Sequence, residues 1–333
     1  MRGPGNIDAR TAQGRHAVAS GPGGPAGREA NVARRRPGRL LLIGGGERRD
    51  PDHRVLEHFV AEAGGKGAKV LVLGVSSDEP RETLAEYEEV FRGFGAAQVW
   101  TDPVEHRSDA EAEELLAHVE DSTAVFFTGG DQLRFTSVLA GTRAGEAVRE
   151  RFSAGGYLVA GTSAGAAALG SVMIVGGADD GTVRRSDVRL GVGLGFMRDA
   201  VIDTHFNERG RESRLLTIFA QNSQVLGIGI DADTALDVRL GERYTVVGHG
   251  VVIVFDGRVT YSNAANVGED APLALSGVTL HVLPEGYAFD PRRSKVITPD
   301  GEAVTNPQEE RSSRAGQGEG EAKRSTKARA ASR

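Results

Sequence analysis

From residue 39 onward, short apolar runs stopped by glycine alternate with amphipathic segments. RLLLIGGGE (39–47) reads as a buried strand ended by three glycines. AKVLVLGV (68–75), AQVW (97–100), STAVFFT (122–128) and YLVAG (157–161) repeat the strand pattern. Between them, residues 52–64 put Val55, Leu56, Phe59, Val60 and Ala63 on one helical face. PRETLAEYEEVFRGFG (80–95) opens on proline and stops at glycine, the punctuation of a helix. An acidic helix is expected over 109–119, and helical patterns run from GGDQ (129–132) to residue 154. This alternation predicts an α/β fold, a mostly parallel sheet with helices on both faces.

After residue 220 the rhythm changes. VLGIGID (225–231), TALDVR (234–239), RYTVVG (243–248), GVVIVFDG (250–257) and RVTYSN (258–263) are short strands between turn signals. They are expected to form an antiparallel C-terminal extension of the same sheet. No internal repeat is visible, so a single domain over 39–306 is the simplest organisation.

Composition narrows the chemistry. The chain has no cysteine among its 333 residues, which excludes disulfides, thiolate metal sites and a sulfur nucleophile. No apolar run approaches the ~20 residues of a membrane helix. The net charge is −6, yet residues 1–39 carry eight arginines against Asp8 and Glu29, and 307–333 carry seven basic and four acidic groups. Both ends are poor in large apolar residues and predict disordered basic tails over 1–38 and 307–333. Lacking interleaved aromatics, they are not expected to bind nucleic acid. Arg34–Arg36 before Leu40–Ile43 is too short an apolar stretch for a signal peptide, so a cytoplasmic protein is expected.

Three stretches carry candidate chemistry. Gly161-Thr162-Ser163-Ala164-Gly165 is G-x-S-x-G after a buried strand and before an Ala-rich helical stretch, the setting of a nucleophile elbow. Ser163 could instead be an ordinary helix N-cap. Gly129-Gly130-Asp131-Gln132 also ends a strand; its glycine turn could pair with Ala164 N–H to hold an oxyanion, with Gln132 orienting substrate and Asp131 capping the next helix. Of eight histidines, only His205 follows an apolar strand and abuts a charge cluster, which makes it the candidate base. Arg209, Arg211 and Arg214 beside it suit a clamp for substrate carboxylates, or surface pairing with Glu208 and Glu212.

GGDQLRFTSVL (129–139), GTSAGAAALGSVMIVGG (161–177), DTHFNERGRESRLL (203–216) and LGIGIDADTAL (226–236), in this order, resemble the cyanophycinase family. These are serine exopeptidases related to aspartyl dipeptidase, or peptidase E. The resemblance spans roughly 39–285 and implies a fold like that of class I glutamine amidotransferases. It implies hydrolysis of cyanophycin, polyaspartate bearing arginine on each side chain, to β-Asp-Arg dipeptides, with no cofactor or metal. Carried over by motif, Ser163 is the nucleophile and His205 the base, while Gln132, Asp203, Arg209, Arg211 and Arg214 match pocket positions. Thr204 replaces a family glutamine in that pocket. The family's acid falls at Gly181, so Asp180, or its neighbour Asp179, is assigned to orient His205. An aspartyl dipeptidase, a non-catalytic binding homologue, and an α/β-hydrolase using His249 or His281 are the competing readings; a homodimer is compatible with all of them.

Overall fold

The structure is a computed structural model that describes residues 38–49, 53–75, 79–177, 181–222, 224–256 and 259–304. In chain order its first half comprises β1 (Arg39–Ile43), α1 (Arg54–Glu62), β2 (Lys69–Gly74), α2 (Pro80–Gly93) and β3 (Gln98–Pro103). Next come α3 (Glu113–Asp121), β4 (Ala124–Phe127), α4 (Gln132–Leu139), α5 (Arg143–Ala154) and β5 (Leu158–Thr162). The five strands pair in parallel in the order β1, β5, β4, β2, β3.

Strand alternation explains why this sheet is buried on both faces. Along β1, Leu40 and Leu42 point into one apolar cluster while Leu41 and Ile43 point into another. On the second side α1 and α2 supply Leu56, Phe59, Tyr87 and Phe91. On the first side α3, α4 and α5 supply Val119, Phe135, Leu139 and Val148. The expected basic tails lie outside the described residues, Gly38 excepted.

The second half comprises α6 (Ala164–Ala167), β6 (Val172–Gly177), β7 (Val188–Val192), β8 (Ala200–Thr204), α7 (Glu212–Gln221), β9 (Leu226–Ile230) and β10 (Thr234–Arg239). It continues with β11 (Arg243–Gly248), β12 (Val252–Asp256), β13 (Tyr261–Ser262), β14 (Leu275–Ser276), β15 (Thr279–Leu283), β16 (Ala288–Asp290) and β17 (Lys295–Ile297). Strand β10 pairs antiparallel with β1, and β11, β16 and β17 continue outward, completing nine strands.

Two expectations are corrected here. The late strands do not all extend the first sheet: β9 and β12 join β8 and β15 in a separate four-stranded sheet ordered β15, β12, β9, β8. The reason lies in the side chains of β12, where Val252 and Val254 face the core shared with the large sheet, and Ile253 and Phe255 face a third cluster under α7. The Ala-rich stretch after Ser163 is also helical only over Ala164–Ala167, because the following VMIVGG carries β-branched residues into β6, which pairs with β7.

Candidate active site

Register delivers three strand ends to one point. Ile43 of β1 and Thr162 of β5 are paired, and Phe127 of β4 pairs with Gly161, so Gly44 and Gly129 both arrive beside Ser163. Ser163 adopts φ 51° and ψ −117°, a left-handed conformation costly for a residue with a side chain. Its N–H donates to Ile43 O at 3.0 Å, which pins the turn to β1. The two glycines of the motif have a steric reason. A Cβ on Gly161 would stand 2.5 Å from Gly165 C and O, and one on Gly165 2.7 Å from Phe127 O.

Ser163 occupies the helix N-cap position but makes no side-chain cap. Its Oγ lies instead 3.0 Å from His205 Nε2. His205 comes from the end of β8 in the other sheet, at φ 48°, and its N–H donates to Gly44 O at 2.9 Å. Phe206, fully buried, anchors the next position. Gly45 lies so close that a Cβ there would be 2.3 Å from His205 Nε2. This close approach was missed in the sequence, where the three glycines read as a strand stop; glycines followed by Glu47 at the carboxyl end of a central strand were the available signal.

Burial lowers the affinity of His205 for a proton, and the charges of Arg209 and Arg211 lower it further against opposing pulls from Glu208 and Glu47. The imidazole is thereby poised to accept the Ser163 proton. On the far side of Ser163, a Cβ on Gly129 would sit 4.0 Å from its Oγ, so the Gly129–Gly130 turn borders that hydroxyl. Ala164 N–H opens α6 immediately after Ser163, where a first-turn N–H has no intrahelical acceptor. Ser163, Gly129, Gly130, Glu47, Arg49 and Tyr87 line one cleft of about 460 Å³.

The remaining sequence candidates take other positions. Asp203 is buried and accepts from Arg211 Nη1 at 3.0 Å, while Arg214 Nε lies 3.2 Å from its other oxygen. Arg211 also donates to Thr204 O at 2.5 Å, and buried Thr204 donates its N–H to Asp203 at 3.0 Å. Arg211 and Arg214 therefore brace, through Asp203, the segment that presents His205. Glu208 accepts from Ala232 N–H. Arg209 is exposed at the end of the Asn207–Arg209 3₁₀ turn. Gln132 donates Nε2 to Ile174 O at 2.7 Å, tying α4 to β6, and Asp131 caps α4 by accepting from Arg134 N–H. Asp180 and Asp179 lie outside the described residues.

Neither rival histidine reaches Ser163. His249 bonds Asp233 at 2.8 Å, and His281 sits on β15 against Phe289. Among the described residues one group could gather around a metal: His58, Glu62 and Asp237. Arg39, at the opposite end of β1 from Gly44, bridges both of those carboxylates and places a permanent positive charge where a cation would sit.

Residues 40–246 match the profile of Peptidase family S51. A cyanophycinase from Geminocystis herdmanii is 37% identical over 252 residues, covering 75% of this chain and 93% of the relative. One from Synechococcus elongatus is 36% identical over 260 residues, covering 78% and 81%. Among solved structures, a peptidase from an acI-B1 Actinobacterium shares the fold, with a TM-score of 0.57 at 22% identity over 76% of this chain and 97% of that one. Among the described residues no helix is long and apolar enough to cross a membrane.

Proposed function

Because the chain belongs to peptidase family S51 and is a serine-type peptidase, we propose that it is a cyanophycinase, an exopeptidase releasing β-Asp-Arg dipeptides from cyanophycin. The observation that carries this reading is the 3.0 Å approach of Ser163 Oγ and His205 Nε2 beside the glycine turn. Cyanophycinase relatives covering most of their own length support the substrate class.

In this mechanism His205 Nε2 takes the Ser163 proton as Oγ attacks the aspartyl carbonyl carbon. The carbonyl oxygen becomes an oxyanion facing Ala164 N–H and an amide of the Gly129–Gly130 turn. Collapse of the tetrahedral intermediate breaks the C–N bond, and the imidazolium gives its proton to the departing amine. Water, deprotonated by His205, then cleaves the seryl ester and frees the enzyme. Asp180 is the acid assigned to orient His205, and Arg209 is the guanidinium assigned to a substrate carboxylate. The proposal places the enzyme in the cytoplasm with the polymer, with neither nucleic acid nor membrane as partner.

Incubation with purified cyanophycin tests the reading, with dipeptide release followed by mass spectrometry. Ser163→Ala is expected to lower kcat by about 10⁵-fold. An inert wild-type protein, or an active Ser163→Ala variant, would overturn it. Turnover of small aspartyl dipeptides with the polymer left intact would replace cyanophycin by the dipeptidase reading.

A further inference from the structure

The cleft beside Ser163 holds a buried carboxylate. Glu47 is only 8% exposed and lines the cleft with Ser163. One of its oxygens accepts the Tyr87 hydroxyl, and the other accepts Thr162 Oγ1–H at 2.7 Å. Burial first, then the Glu47 charge, holds the Tyr87 phenol well above its usual range, so it stays a donor. Thr162 immediately precedes the nucleophile. The carboxylate therefore stands one residue from the proposed nucleophile, where its charge favours the His205 imidazolium but opposes the oxyanion formed in the same step.

Both of its partners are neutral hydroxyls. Among the described residues no cation forms an ion pair with Glu47; Arg49, on the same cleft wall, pairs with Glu86 and lies over the Tyr87 ring at 4.5 Å. A buried carboxylate without a counter-charge is expensive, and two hydroxyl donors leave part of its acceptor capacity open. A cation arriving with the substrate would remove both the burial penalty and the opposition to the oxyanion.

We propose that Glu47 forms a guanidinium subsite that selects arginine-bearing aspartyl units for attack by Ser163. The inference rests on the hydrolase reading above and adds to it the residue that reads the arginyl side chain. Guanidinium suits the site because its planar fork can meet a carboxylate whose other acceptor positions are taken.

The test compares a short β-aspartyl-arginine oligomer with its citrulline counterpart, in which a neutral ureido group replaces the guanidinium. Wild type should favour the arginine substrate in kcat/KM by about tenfold to a hundredfold. Glu47→Gln should bring that ratio close to one by raising KM for the arginine substrate far more than for the citrulline one, whatever change in kcat the two share. An unchanged ratio, or an equal loss on both substrates, would overturn the proposal by making Glu47 a scaffold residue. Should Glu47→Gln not fold, Glu47→Asp must still lower the ratio, and a wild-type ratio there would likewise overturn it. Calorimetry on Ser163→Ala with β-Asp-Arg and β-Asp-citrulline separates the two readings. Preference for the arginine dipeptide sustains the subsite even if the polymer is not cleaved, and equal binding defeats the subsite even if it is.

Discussion

At the residue scale, the proposed mechanism depends on a histidine held neutral. His205 is lowered first by burial and then by Arg209 and Arg211. Only its neutral form can take a proton from Ser163, so activity is present above the depressed value and lost as pH falls through it. The acid limb of kcat/KM on a small neutral ester should therefore have its midpoint below about 6.5, the ordinary histidine value. Arg209 is exposed, and Arg209→Gln removes one of the charges responsible without opening the core. That variant should shift the limb upward. A wild-type limb at the ordinary value, or one unmoved in Arg209→Gln, would assign the proton to another group.

At the scale of elements, the turn from β8 into α7 is held by charge. Arg214 lies in the first turn of α7, where a cation opposes the helix dipole, and Asp203 at the end of β8 compensates for it. Both are buried, so Arg214→Met should leave Asp203 under-compensated and cost about 3 kcal/mol, read as a lower denaturant midpoint. A substrate clamp would instead raise KM and leave stability untouched. This is also where sequence reading meets its limit. Ser163 and His205 were legible because an elbow and a strand-end imidazole are local patterns. The partner of Arg214 lies eleven positions upstream, across a strand end and a 3₁₀ turn, so the arginines read equally well as a ligand site. Periodicity likewise marked VLGIGID and GVVIVFDG as strands but could not assign their sheet, since a strand buried on both faces reads alike in either. The Gly44–Glu47 turn was read only as punctuation because close approach to an imidazole leaves no mark on spacing.

At the scale of the molecule, the proposed catalytic pair spans two sheets. Ser163 belongs to the nine-stranded sheet, and His205 follows the edge strand of the four-stranded one; the bond from His205 N–H to Gly44 O joins them. The position of His205 therefore depends on packing behind the smaller sheet. There the Phe255 ring lies 5.9 Å from both Phe206 and Phe219, and Phe206 directly follows His205. Phe255→Ala should open a cavity behind that anchor at a cost of about 3–5 kcal/mol. While the protein is still folded by circular dichroism, labelling of Ser163 by a fluorophosphonate should slow about tenfold, the order expected when reacting groups lose alignment. Phe59→Ala offers the comparison, because Phe59 of α1 packs on Phe91 and Phe126 in the cluster on the other face of the large sheet. It should lose similar stability yet label at the wild-type rate. Equal slowing in both variants would mean that general stability, and not the junction between the sheets, keeps serine and histidine together.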